Sequence, residues 1–200
     1  MKKYDLNLDT LIPIRTSLSI EGDIARVAKI DTREPDINTF ALVKDTDFHN
    51  GIIEVDVCGK LLPDADPADR GFIGIAFRSK EDGSEFEGYY IRPTNGKNCD
   101  DPVRKSHGCQ YFSFPGYTFA YYRQFNILGY EHAVNDIALG EWAHLKLVIN
   151  DDQAEFFVNN TSVLTVNGMK HGKDSRGAIG LYVDNGTDGY FKNLTVEYLD

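Results

Sequence analysis

Two hundred residues, 42% hydrophobic and 26% charged, can bury a core without disulfide staples, and this composition excludes a disordered chain. A net charge of −10, from 31 acidic against 21 basic residues, argues against nucleic acid and anionic membrane as partners and leaves sugars open. No run approaches the ~18 apolar residues of a spanning helix, so a soluble chain is expected: cytoplasmic if Met1 is the natural start, exported with its leader removed otherwise.

Apolar residues recur with a period close to two almost from the first segment to the last. Strands are predicted over 17–22, 25–30 and 39–43, each bounded by Gly, Asn, Asp or Pro. Ile52-Ile-Glu-Val-Asp-Val57 puts Ile53, Val55 and Val57 on one face and Glu54 and Asp56 on the other. In 72–78 the bulky face is Ile73, Ile75 and Phe77, opposite Gly74, Ala76 and Arg78. Further strands are predicted over 86–92, 142–150, 154–159, 162–166, 178–183 and 190–198, with hairpin signals at Asn150-Asp-Asp-Gln153 and Asn159-Asn160. No ten-residue stretch carries a helical period. About a dozen short strands predict an all-β, two-sheet antiparallel sandwich, read as a single domain over 1–200.

The stretch 93–127 breaks the rhythm. It is long, aromatic-rich and interrupted by Pro93, Pro102 and Pro115. Two readings stand side by side: a functional loop, or a cover for an open end of the sandwich. Cys58, Cys99 and Cys109 match no zinc or redox spacing. Cys99 and Cys109 bracket one loop and can pair in an oxidising compartment; free thiols are the expectation in a reducing one.

Phe48-His-Asn-Gly-Ile-Ile-Glu-Val-Asp-Val, Gly71-Phe-Ile-Gly-Ile-Ala-Phe-Arg and Glu141-Trp-Ala-His-Leu-Lys-Leu-Val-Ile resemble the concanavalin A-like lectin/glucanase superfamily, which includes laminin G-like domains. Gly177-Ala-Ile-Gly-Leu-Tyr-Val followed by Gly189-Tyr-Phe-Lys-Asn-Leu-Thr-Val is similar to its closing hairpin. Phe86-Glu-Gly-Tyr-Tyr-Ile-Arg-Pro-Thr-Asn-Gly, with Gln110-Tyr111 and Met169-Lys-His-Gly, looks like a bacterial subgroup of that superfamily. The resemblance implies a jelly roll but not one function, since this fold hosts lectins, binding modules, glycosidases and adhesion domains.

Laminarinase-like members of the superfamily carry Glu, Asp and Glu at alternate positions of one strand. Here Glu54 and Asp56 match, but Cys58 stands third, and a thiol cannot donate the proton that a carboxyl would. A polar outer strand face is the expectation there. Arg78, Tyr90, Arg92 and Asn95 are expected to converge in a groove, where guanidinium and amide groups bond sugar hydroxyls and tyrosines stack on pyranose faces. The competing reading pairs Arg92 with Glu54 or Asp56.

His107, Gln110 and Tyr111 complete the candidate binding set. His107 is the partner that a non-standard catalytic site would use with Glu54 or Asp56. Transition-metal motifs are absent, so no cofactor is expected. A structural calcium is what the superfamily resemblance implies, but Asp64, Asp66, Asp69, Asp184 and Asp188 read as solvated turns without EF-hand spacing. The functional expectation is a carbohydrate-binding jelly roll without identifiable catalytic machinery. A glycoside-processing enzyme and a laminin G-like protein-interaction domain are the alternatives; oligomeric state is left open.

Overall fold

A computed structural model describes residues 1–199 of the chain. Among the described residues, eight strands form the larger sheet: β1 (Lys2–Lys3), β3 (Thr16–Glu21), β4 (Ile24–Lys29), β6 (Gly51–Leu61), β11 (Ala143–Asn150), β12 (Gln153–Val158), β13 (Thr161–Asn167) and β15 (Thr187–Tyr198). Seven form the smaller sheet: β2 (Leu11–Ile14), β5 (Phe40–Phe48), β7 (Ile73–Ser79), β8 (Phe86–Ile91), β9 (Cys109–Phe114), β10 (Glu131–His132) and β14 (Gly177–Val183). Every pairing is antiparallel.

The larger sheet runs β13-β12-β11-β6-β15-β4-β3, with β1 beside β15, and the smaller runs β10-β9-β8-β7-β14-β5-β2. The chain runs as hairpins within a sheet at β3–β4, β7–β10 and β11–β13 and crosses to the other sheet between these runs, as a jelly roll does. Helix is confined to α1 (Pro102–Lys105), α2 (Phe119–Gln124) and a 3-10 turn at Pro93–Asn95. None is long and apolar enough to cross a membrane.

The predicted alternation builds the core. Ile53, Val55 and Val57 of β6 and Leu145, Leu147 and Ile149 of β11 face Ile73, Ile75 and Phe77 of β7 across the sandwich. Cys58, Cys99 and Cys109 are all unpaired and buried.

The smaller sheet is covered on its outer face as well: every residue of β7 and β8 is buried. Phe40, Phe86, Tyr90, Phe112 and Tyr182 make a second aromatic cluster there. Gly88 and Gly180 provide the room. A Cβ on Gly88 would sit 2.3 Å from the Phe112 ring, and one on Gly180 2.5 Å from the Phe40 ring.

Candidate functional site

The expected groove along the sheet does not exist, because those aromatic rings fill it. A pocket takes its place at one end, where β8 runs into Pro93. Arg92 follows the last residue of the strand with φ −118° and ψ 85°, outside the helical region that a residue before proline avoids. The cavity measures about 410 Å³. Tyr90, Arg92 and Asn95 line it from β8 and the following turn, Phe72 from β7's start, and His107, Arg104, Phe119 and Arg123 from the 93–127 stretch. Arg33, Asp36, Asp69, Arg70, Asp184 and Asn185 complete the lining.

Arg92 is buried and held by four acceptors. It donates to Gln110 Oε1 at 3.0 Å, Tyr90 Oη at 3.2 Å, the His107 carbonyl at 3.2 Å and Glu131 Oε2 at 3.4 Å. Its carboxylate partner is therefore Glu131, not Glu54 or Asp56. Asn95 donates to the His107 carbonyl at 2.9 Å and accepts from Arg104, which ties the start and middle of the long stretch together. His107 Nδ1 stands 3.0 Å from Glu131 Oε2, within ion-pair distance but off the line of a hydrogen bond. Gln110 is buried beneath Arg92 and orients it, while its amide donates to the Tyr111 and Tyr130 carbonyls.

Four predicted residues lie elsewhere. Arg78 sits at the opposite end of β7, where a bulge opposite Ala178–Gly180 gives it φ 53° and turns it out of the alternation. It donates instead to the carbonyls of His49, Asp151 and Gly172. Tyr111 points into the sandwich and donates to the buried Glu87 carboxylate at 2.5 Å. Glu54 and Asp56 lie half-buried on the outer face of the other sheet. There Asp56 meets His144 Nδ1 at 2.8 Å and accepts from Asn193 at 2.7 Å. That is the expected polar strand face, and its histidine is His144, so no pairing with His107 exists.

Sequence reasoning missed four buried carboxyls, of which Asp36, Asp69 and Asp184 line the pocket. Asp36, Asp69, Asp184 and Asp188 are buried, and the last three pair with arginine or lysine, so Asp69, Asp184 and Asp188 are not the solvated turns expected. Among the described residues no group of three or more His, Cys, Asp or Glu is placed to hold a metal ion.

Lys29 Nζ donates to Asp184 Oδ1 at 2.7 Å, and Asp184 Oδ2 accepts from the Asp36 backbone N–H at 2.9 Å. Asp36 Oδ2 accepts from the Phe119 N–H at 2.7 Å, joining the 31–38 loop to the start of α2. Its other oxygen, Oδ1, is buried with no hydrogen-bond partner, as is the Tyr182 hydroxyl. Burial first, and the neighbouring Asp184 second, push the Asp36 carboxyl up to about 7. Burial likewise pushes the Tyr90 and Tyr182 phenols well above their ordinary range, so both stay protonated donors.

The pocket thus combines ring walls at Phe72, Tyr90 and Phe119, fixed guanidinium and amide donors, and one carboxyl able to hold or release a proton near neutrality. The only sequence signal for Asp36 was the charged run Arg33-Glu-Pro-Asp36, which reads equally well as an exposed turn.

Residues 18–197 match the family described as the 3-keto-alpha-glucoside-1,2-lyase-like domain. No curated protein matches the chain. Among solved structures, carbohydrate-binding module CBM66 from Bacillus subtilis is similar at 17% identity with a TM-score of 0.64, covering 94% of this chain and 95% of its own. A Bacillus subtilis protein with a galectin-like fold gives 10% and 0.54, covering 98% of each chain. Porphyranase B from Zobellia galactanivorans gives 9% and 0.52, covering 98% of this chain and 88% of its own. At such identities the shared property is the jelly-roll architecture. With the family matched over nearly its whole length, the chain belongs to the 3-keto-alpha-glucoside-1,2-lyase-like domain family, on a concanavalin A-like sandwich.

Proposed function

We propose that this chain, acting as one domain, binds a carbohydrate in the pocket between Tyr90, Arg92, Asn95 and Asp36. The observation that carries the reading is the pairing, in one cavity of about 410 Å³, of the half-exposed Phe72 and Phe119 rings with buried polar groups. Sugars present both alternating hydroxyls and apolar ring faces, and a small number of fixed polar groups among rings is how such ligands are oriented. Asp36 Oδ1 supplies an unclaimed acceptor, or a donor once protonated. The description of the family and of the CBM66 fold relative points to the same ligand class.

Titration of the protein with an oligosaccharide panel tests this. Phe119 is a half-buried wall residue, so Phe119→Ala should weaken binding by about 0.5–1.5 kcal/mol, the worth of one ring contact, with little change in melting temperature. Binding that survives this change undiminished places the sugar elsewhere.

A second reading has one specific observation behind it, the Asp36 carboxyl near 7. A general acid or base works best with its pKa near the working pH. The family description suggests a substrate with a ketone at C3, which acidifies the proton on C2. The Asp36 carboxylate would take that proton; the electron pair forms the C1–C2 double bond as the C1–O bond breaks, and the departing oxygen leaves as an alcohol after taking up a proton. Turnover of 3-keto glucosides should then rise as pH passes through about 7 and vanish in Asp36→Asn. A pH-independent rate, or an active Asp36→Asn protein, refutes this role. The protein-interaction alternative loses support from the polar pocket itself.

A further inference from the structure

The pocket carries an arginine excess that the chain as a whole does not. Five arginines line it against three aspartates, in a protein with 21 basic and 31 acidic residues. Three of the five are committed: Arg33 to Asp69 at 2.8 Å, and Arg92 and Arg123 to Glu131 at 3.4 and 3.6 Å. Arg70 and Arg104 have no ion pair among the described residues. Arg70 uses only Nη1, donating to the Pro67 and Asp69 carbonyls at 2.6 and 3.0 Å. Arg104 spends Nε and Nη2 on Asn95 and Thr94, all neutral acceptors, at 3.2–3.4 Å. Its Nη1 and the Nε and Nη2 of Arg70 make no protein hydrogen bond.

Both side chains are half-buried and line the same cavity. Burial first, then the charge of Arg104, push the Arg70 guanidinium down from its ordinary value. Two like charges crowded together at a pocket wall are unfavourable unless an anion joins them, and arginine's planar fork matches carboxylate and sulfate oxygens in pairs.

The lining charges are also grouped. Arg70 and Arg104 lie beside Thr94, the first through its carbonyl and the second through its side chain. Asp36 and Asp184 are joined to each other, and Asp184 to Lys29. One sugar ring can thus meet an anion receptor and hydroxyl acceptors in the same pocket.

We infer that the ligand is an anionic carbohydrate, carrying a carboxylate or sulfate that Arg70 and Arg104 grip while its hydroxyls reach Asp36. This rests on the pocket being a saccharide site, and it adds the charge of the saccharide.

Isothermal titration with matched oligosaccharides tests it: neutral hexose chains, the same chains oxidised to uronates, and the same chains O-sulfated. The anionic forms should bind at least about tenfold more tightly at low salt. That preference should shrink at about 1 M salt, where the screening length is about 3 Å. A preference confined to uronates or to sulfates identifies which anion the forks read; either result supports the inference. The double variant Arg70→Gln/Arg104→Gln should bind the anionic chains no better than the neutral ones. Should that variant fold poorly, the salt dependence of the unaltered protein decides alone. Equal binding of neutral and anionic chains overturns the inference while leaving the sugar site standing. Failure of every member of the panel overturns both.

Discussion

Replacing Asp36 by Asn should make the protein more stable at alkaline pH, though it removes a charged group from the site. Asp36 is fully buried, and its folded carboxyl is pushed up to about 7 from the ordinary 3.8. Between those values the folded state holds a proton that the unfolded chain has released. Stability tied to this group is therefore full below about pH 4, and is lost as pH rises through about 7. At about 1.4 kcal/mol per pH unit, the gap comes to an upper limit of about 4 kcal/mol at pH 8.

Asn removes that loss with little change of shape. Its amide oxygen can keep the hydrogen bond from the Phe119 N–H, and asparagine tolerates the φ of 52° at this position. The attraction of ionised Asp36 to Arg92 disappears, so the net gain should be about 2–4 kcal/mol at pH 8 and near zero at pH 4. Denaturant midpoints at the two pH values measure it. An unaltered protein equally stable at pH 4 and pH 8, or an Asp36→Asn variant less stable at pH 8, refutes the reasoning. A variant that gains stability and loses sugar affinity would mark Asp36 as kept for its ligand at the fold's expense.

Lys29→Met should cost about 3–5 kcal/mol, because Lys29 and Asp184 are both almost completely buried and the change leaves an unpaired carboxylate; adding Asp184→Asn should restore part of the loss in urea melts. Arg92→Ala should cost about 3 kcal/mol, the low end for a broken buried pair, since Glu131 is only partly buried. Its sugar affinity, measured well below the melting temperature, should fall too; unchanged stability would show that the four acceptors around Arg92 contribute nothing. Gly88→Ala, whose Cβ meets the Phe112 ring, should destabilise by about 1–3 kcal/mol in thermal melts, and a neutral result would mean the aromatic cluster yields easily. Trp142 is 40% exposed on the outer face of the larger sheet under the Lys192 ammonium, away from the pocket, so its fluorescence should stay constant during sugar titration.

Strands with one polar face were legible in the sequence, and so were β7, β8 and β14, which are buried on both faces but bounded by turn residues; β9 was not. β6 and β11 alternate because their outer faces carry Glu54, Asp56, His144 and Lys146. β9 was hidden in the 93–127 stretch because Cys109, Tyr111 and Ser113 face the core while Gln110, Phe112 and Phe114 face the aromatic cluster, and the result has no polar–apolar rhythm. β2 contains Pro13, which only an edge strand tolerates, and β2 is indeed an edge.

The site was legible in proportion to its locality. Tyr90, Arg92 and Asn95 follow from one strand and the proline that ends it. Arg78 failed because alternation assumes no bulge. Asp36, Asp184 and Lys29 were out of reach, since carboxylates in short polar turns look solvated until the chain's distant parts are brought together.

The two sheets differ in what their outer faces offer. Glycosidases resembling laminarinases set their carboxyls along a strand face left open to a cleft. Here the corresponding Glu54 and Asp56 share their face with His144 and Asn193, and the next alternate position is a thiol. The outer face of the other sheet is covered by Phe40, Phe86, Phe112 and Tyr182 over its central strands. The pocket opens instead where the loops part, at the end of β8. Packed rings beneath that opening hold Tyr90 and Arg92 in place, and rigid presentation lowers the entropic cost of gripping a ligand. The same packing that closes the groove therefore supplies the rigid floor of the pocket that replaces it.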